Sequence, residues 1–308
     1  MADHTALRPH EIAHVCAAYG LSVREVTPLT GGTMNANLLV DAGGAGLFVL
    51  TVLASREVAA VSRPVGVMRW LASSGYPTSA PLDGDGKGPR GRAVIVRPYT
   101  PGVCHDTLPA RLLPAAGAVL ARLHGLGVPP RELRLPENGR RLPDGAVAMI
   151  EGFPDREFAA WLLRNVAEPP LSDLRRCITH GDLFADNLVE TYAGSLHVLD
   201  WETASVDDPL LDLGMTVVGL GVEDGVVHTE RVAALVDGYR KVRPISPDDL
   251  HRLRELSVYA GSIVAFNRYV RRADPRARPF AAMVSAVDGL RAAWPVAYGR
   301  RPMVGPRR

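Results

Sequence analysis

His180-Gly181-Asp182-Leu183-Phe184-Ala185-Asp186-Asn187 decides how the rest of the chain is read. Thirteen residues beyond Asn187 stands a second acid, Asp200, inside Val198-Leu199-Asp200-Trp201-Glu202. Between them Leu188-Val189 leads away, Tyr192-Ala193-Gly194-Ser195 has turn composition, and 196–199 returns, which predicts a short hairpin. An isolated His-x-Asp in a loop is more often a turn carrying a solvated acid. Here the hairpin returns the second acid to the loop. Asp182 is then placed to orient a hydroxyl and accept its proton, and Asn187 and Asp200 to hold Mg²⁺ across phosphates. The pattern implies phosphoryl transfer.

The flanking residues support that reading with different force. His180, two residues before the acid, is expected to fix the loop's shape rather than to react. Asp212, in Asp207-Asp208-Pro209-Leu210-Leu211-Asp212-Leu213-Gly214, falls in the first turns of a helix. It either braces the loop or satisfies the helix's positive end, and the two roles are compatible. Gly31-Gly32-Thr33 lies between two predicted strands. Taken alone it is a turn; in this position it fits a phosphate-covering loop whose backbone N–H groups approach closely. Asn35 either closes that loop by hydrogen bonds or touches a substrate.

With 308 residues and 47% hydrophobic content, the chain can bury one large core or two moderate ones. A net charge of +2 implies no broad polyanion surface, so no nucleic-acid partner is expected. Arg300, Arg301, Arg307 and Arg308 gather in a Pro- and Gly-containing tail that reads as a frayed terminus. Cys16, Cys104 and Cys177 have neither metal-ligand spacing nor a disulfide framework, which fits a reducing cytoplasm. No apolar run of membrane-spanning length and no signal-peptide pattern is present, so no membrane role is expected.

Along the chain, 9–19 carries Ile12, Val15, Cys16 and Tyr19 at helical spacing, with Gly20 as a stop. Strands are predicted over 23–29, 37–40, 47–53 and 93–96, and a helix over 64–74 with Pro64 at its start. Beyond residue 101 the pattern turns helical: 114–126, 157–166, and a long helix from Ser246-Pro247 to about Arg272. Leu253, Leu256, Ile263, Phe266 and Val270 are its expected core stripe. Residues 127–147, rich in Pro, Gly and Arg, read as a surface excursion. A sheet-rich lobe over 1–97 and a helical lobe over 98–308 give an α+β, protein-kinase-like two-lobe fold. ATP is expected between the lobes, its base against the backbone near Arg97 and Tyr99.

One feature departs from the kinase plan. A lysine is normal in the third strand, paired to a Glu on the next helix. Here Phe48-Val49-Leu50-Thr51-Val52 places Thr51 there, no lysine precedes Lys87, and 64–74 contains no acid. The pair is missing at both ends, which argues for a working variant. Either Arg56, Arg63 or Arg69 supplies the missing charge from elsewhere, or Mg²⁺ carries more of it.

At these residues the chain resembles the aminoglycoside phosphotransferase and choline kinase superfamily. His180-Gly181-Asp182, Asn187, Val198-Leu199-Asp200-Trp201-Glu202, Asp208-Pro209 with Asp212, and Leu120-Ala121-Arg122-Leu123-His124 carry the likeness. Within it, the first lobe is most similar to the bacterial homoserine kinases of this fold. Gly32-Thr33-Met34-Asn35-Ala36-Asn37, Val49-Leu50-Thr51 and Gly75-Tyr76-Pro77 match their pattern. Trp201-Glu202 is closer to the antibiotic kinases, and the region after residue 215 matches nothing that can be placed. The resemblance implies ATP and Mg²⁺ as cofactors, with Gly31, Gly32, Thr33, Asn35, Thr51, Arg97 and Tyr99 toward the nucleotide. The expected reaction phosphorylates an alcohol on a small amino-acid-like molecule, with Glu202 and Asp207 on the acceptor side. The alternatives are an antibiotic phosphotransferase, a kinase for Ser or Thr in a precursor peptide, and a non-catalytic nucleotide-binding pseudokinase.

Overall fold

In the computed structural model, residues 7–29, 35–53, 59–167, 169, 172, 174–273, 279–292 and 294 are described. In chain order the elements begin with α1 (Pro9–Ala18), β1 (Glu25–Leu29), β2 (Ala36–Asp41), β3 (Leu47–Val52), α2 (Ala59–Ser73), β4 (Val94–Pro98) and β5 (Gly102–Cys104). There follow α3 (Leu113–Gly125), α4 (Ala146–Glu151), α5 (Arg156–Asn165), β6 (Cys177–Thr179), β7 (Leu188–Thr191), β8 (Leu196–Val198) and β9 (Ser205–Asp207). The chain continues with α6 (Pro209–Leu220), β10 (Val222–Glu223), β11 (Val226–Val227), α7 (Thr229–Val242), α8 (Pro247–Val270) and α9 (Ala281–Ala292).

Two compact units emerge. The first takes Met1–Cys104, Pro130–Leu135 and Asp186–Glu202; the second takes His105–Pro129, Pro136–Ala185 and Thr203–Arg308. A single division at 97/98 therefore differs from the observed grouping. The reason is pairing: β7 bonds to β5 with Cys104 opposite Val189, and to β8 with Leu188 opposite Val198. That ladder carries 186–202 into the first unit.

In the first unit β1-β2-β3-β4 form one antiparallel sheet. Period-2 alternation sorts its two faces. Val40, Leu50, Val52, Val94 and Val96 turn inward against Ile12, Val15 and Cys16 of α1 and form the core. Cys16 is completely buried and acts as a small apolar side chain. The opposite face carries Asn37, Thr51, Ile95 and Arg97, since the register pairs Asn37 with Thr51, Thr51 with Ile95, and Val49 with Arg97. Helix α2 starts at Ala59, five residues before the expected point, and Pro64 lies inside it. The proline falls within the first two turns, where it forfeits a single backbone bond.

In the second unit α6 is buried on all sides, with Leu210, Leu211, Leu213, Met215, Val217, Val218 and Leu220 out of solvent. A helix apolar all round belongs at the centre of a bundle. Gly214 of α6 faces the backbone of Ser257 in α8. Ser246 caps α8, its hydroxyl accepting from the Asp249 N–H at 3.0 Å. Leu253, Leu256, Ile263 and Phe266 are buried as expected, whereas Val270, at the helix's last residue, is 45% exposed. Strands β6 and β9 pair antiparallel.

Residues 136–141 are not a loose excursion. Val206 N–H donates to Pro136 O (2.9 Å), Asn138 N–H donates to Val206 O (3.1 Å), and Glu137 bridges to Val206. The segment thus rides on the edge of β9. Among the described residues, no helix is long and apolar enough to cross a membrane. The arginine-rich tail lies outside the described residues.

Helices α3 and α7 approach so closely that side chains are excluded. A Cβ on Gly117 would lie 2.0 Å from Leu235 O, and one on Gly238 2.1 Å from Pro114 O. Overpacking of this kind forces backbones apart. Gly117→Ala is therefore expected to lower unfolding free energy by about 2 kcal/mol or more. Gly125→Ala on the same helix, where nothing lies within 4 Å, should cost none. Urea unfolding of both variants checks the pair; equal stabilities would contradict the close approach.

Candidate active site

In the second unit, a buried carboxylate organises the loop after β6. Asp212 accepts the backbone N–H of His180 on Oδ2 and of Gly181 on Oδ1, both at 2.7 Å. His124 Nε2 donates to Oδ2 at 3.0 Å, while its Nδ1 accepts from the Tyr239 hydroxyl at 2.8 Å. Burial pushes His124 below the usual imidazole range, which favours the neutral ring and this tautomer. Burial raises the Asp212 carboxyl, but the His124 N–H and the Gly181 backbone N–H outweigh it and hold the group below its usual range. Thr203 Oγ1 donates to His180 O at 2.7 Å, tying the loop's other side.

His180 is completely buried, and its Nδ1 accepts from the Asp182 N–H at 3.2 Å. Gly181 turns the chain with φ +77, and Phe184 N–H closes back on Asp182 O at 2.9 Å. The Asp182 side chain is left 33% exposed, with Arg140 Nη2 3.5 Å from its Oδ1. Asp207, expected on the acceptor side, is placed otherwise. It is 3% exposed, and its oxygens take the Arg141 guanidinium (Nε to Oδ2 3.0 Å, and Nη2 to Oδ1) and the Asp208 N–H (2.7 Å). Those bonds make it the anchor of the 136–141 segment. Asp208 caps α6, accepting from Leu210 N–H at 2.8 Å and from Ser172.

The chain passes into the first unit at Asp186. Asn187 is buried, and Leu199 N–H donates to its carbonyl at 3.0 Å, so the hairpin holds residues 187 and 199 side by side. Asp200 follows, exposed, with φ +59. Asp tolerates this left-handed conformation better than most residues. Trp201 then locks the hairpin's end: it is 2% exposed, donates from Nε1 to Thr78 Oγ1 (2.9 Å), and meets Tyr76 edge-on at 5.6 Å.

Asn35 Nδ2 donates to Glu202 Oε1 at 2.6 Å. Desolvation and the Asp200 charge raise the Glu202 carboxyl, with the Asn35 bond opposing them. Thr51 Oγ1 donates to Asn37 Oδ1 at 2.7 Å. Arg97, half-buried on the same face, is lowered by burial and drawn back up by Asp200. Tyr99 N–H bonds Leu47 O at 2.9 Å. Arg69 is committed elsewhere, to Asp83 and to the carbonyls of Pro81 and Leu82. Gly31, Gly32, Thr33 and Arg56 lie outside the described residues.

The second unit thus gathers His180, Asp182 and Asp212, and the first gathers Asn35 with Glu202, Asn187 beside the Asp200 turn, and Thr51 and Arg97 on one sheet face. Sequence reasoning missed Arg140 and Arg141, whose only signal was an Arg-Arg pair in a Pro- and Gly-rich run. It also missed the part of His124, visible only as one residue of the α3 motif. Asn187 and Asp200 offer an amide and a carboxylate oxygen. Two such donors fit Mg²⁺, which keeps much of its shell as water and phosphate oxygen. No cluster of three or more His, Cys, Asp or Glu suited to a metal occurs among the described residues.

The phosphotransferase enzyme family matches the chain over residues 25–256. The chain belongs to that family and is a phosphotransferase. A homoserine kinase of Gluconobacter oxydans (strain 621H) is 30% identical over 293 residues, covering 88% of this chain and 87% of that one. The choline kinase LicA from Streptococcus pneumoniae shares the fold at TM-score 0.65 and 16% identity, covering 92% and 98% of the two chains. The amicoumacin kinase hAmiN, solved with AMP-PNP and Ca²⁺, does so at TM-score 0.62 and 14% identity, covering 92% of each. The fold is the expected α+β, kinase-like one.

One titration in the hairpin is measurable. Burial and the Arg97 charge lower His197 from the ordinary imidazole value of about 6.5 to about 4. Between those values the unfolded chain binds a proton that the folded chain refuses, so stability falls as pH drops through this window. Unfolding free energy should therefore decline from pH 6.5 to 4, with a shallower slope in His197→Gln. Identical slopes would contradict the assignment.

Proposed function

We propose that the chain transfers the γ-phosphoryl group of ATP to the alcohol of a small amino-acid-like molecule, L-homoserine first. The observation that carries this reading is the match to homoserine kinases along almost the full chain, with the His180–Asn187 loop and Asp200 in place. Asp182 orients the hydroxyl. The acceptor oxygen bonds to the γ-phosphorus as the bond to the β,γ-bridging oxygen breaks; ADP leaves with that electron pair, and the hydroxyl proton passes to Asp182. In a loose transition state the proton moves late, so positioning matters more than basicity.

Asn187 and Asp200 hold the divalent cation, Mg²⁺ in this reading, which neutralises charge on the phosphates. Gly31, Gly32 and Thr33 cover those phosphates, and Asn35, which follows them in the chain, bonds Glu202. Arg97 is the cation that substitutes for the third-strand lysine: it shares the sheet face of Thr51 and is attracted by Asp200. Tyr99 lies toward the nucleotide base. Glu202 is the acceptor-side acid, suited to an amino group.

The test is ADP release with Mg²⁺-ATP and L-homoserine beside L-serine, L-threonine and choline. Homoserine-dependent release is expected, falling about 100-fold or more in Asp182→Asn while AMP-PNP affinity is kept. Release with choline alone, or with none of these acceptors, would overturn the reading.

A further inference from the structure

Among the described residues, the guanidinium of Arg140 meets one partner, the Asp182 carboxylate at 3.5 Å, and so lies beside the proposed base. Its side chain is 23% exposed. It crosses directly over Gly181, where a Cβ would sit 2.5 Å from Arg140 Cγ and 3.0 Å from Cδ. Glycine at 181 is thus needed for this packing as well as for its φ of +77. One N–H reaches Asp182 Oδ1, and only at 3.5 Å; the buried Nε has no hydrogen-bond partner among the described residues.

The mounting beneath is rigid. Arg141 is fastened to Asp207, and Arg176 Nη2 donates to Asn138 Oδ1 (2.8 Å) and Val206 O (2.6 Å). Arg141 N–H closes the turn on Asn138 O at 3.0 Å. A pinned backbone carrying a half-buried arginine with an unsatisfied N–H is a group prepared for an acceptor that arrives later. A guanidinium presents a planar fork that matches carboxylate or phosphate oxygens two at a time. Charge points the same way: an anionic group brought next to Asp182 is repelled unless a cation lies between them.

We infer that Arg140 binds an oxyanion of the reacting molecules beside Asp182, the acceptor's carboxylate in the first instance. This rests on the reading of Asp182 as the base, and it makes the acceptor class amino acids with a free carboxylate. The same chemistry would serve a terminal phosphate of the nucleotide, and the experiment separates the two sources.

Wild type, Arg140→Gln and Arg140→Lys are compared for kinetics with L-homoserine and with 3-aminopropan-1-ol, which lacks the carboxylate. AMP-PNP affinity with Mg²⁺ is measured by calorimetry, and the melting temperature reports folding. The carboxylate role predicts a KM for L-homoserine at least tenfold higher in Arg140→Gln and partly recovered in Arg140→Lys. The kcat/KM for 3-aminopropan-1-ol and the AMP-PNP Kd should stay within twofold of wild type. A tenfold weaker AMP-PNP Kd with both acceptors slowed alike would assign the oxyanion to the nucleotide. If wild type turns over neither acceptor, the proposed function has failed, and the AMP-PNP arm alone decides Arg140. Unchanged acceptor KM with unchanged AMP-PNP affinity, or a lowered melting temperature as the only effect, would overturn the inference.

Discussion

A single buried carboxylate, Asp212, governs the shape of the loop that carries Asp182. It is 2% exposed and collects three N–H donors: His180, Gly181 and His124. Removing one acceptor from several buried donors leaves each unsatisfied, at about 1–3 kcal/mol per group. The loop therefore has one favoured conformation. Its fixity is passed on through His180 Nδ1 to the Asp182 N–H. Asp212 can hold this position because α6 is buried on all sides and begins at a well-capped Asp208-Pro209.

A second constraint operates in the first unit. The hairpin after Asn187 is locked by Trp201 and Thr78, and by pairing with β5. It returns Asp200 next to the strand that ends the loop. The cationic side of the same unit is unusual. Thr51 bonds across the sheet to Asn37 instead of presenting a charge, and Arg97 stands diagonal to it on the adjacent strand. A guanidinium cannot be deprotonated at neutral pH, so Arg97 keeps its charge in spite of burial.

Much of this was legible in the sequence where a local rule set the outcome. Apolar runs at 37–40 and 47–53 around the Gly43-Gly44 turn marked two of the strands, and Ser246-Pro247 marked the start of α8. The His180–Asn187 spacing marked the loop. What escaped was set by long-range contacts. The short strands β5, β6 and β9 have no pattern of their own and exist because partners pair with them. The turn-rich composition of 136–141 concealed its attachment to β9. Asp207 looked available because an acid beside a catalytic loop usually is, but burial and Arg141 consume it. Arg140 had no signal beyond its Arg-Arg pair, since its place is set by crossing Gly181.

The most direct test of the central claim is to substitute Asp212→Asn and follow both backbone exchange and turnover. Hydrogen exchange at the His180 and Gly181 amides should speed up. The kcat for phosphoryl transfer should fall at least tenfold, with AMP-PNP affinity within twofold of wild type. Amides that stay protected, together with an unchanged kcat, would contradict the view that this carboxylate holds Asp182 in place.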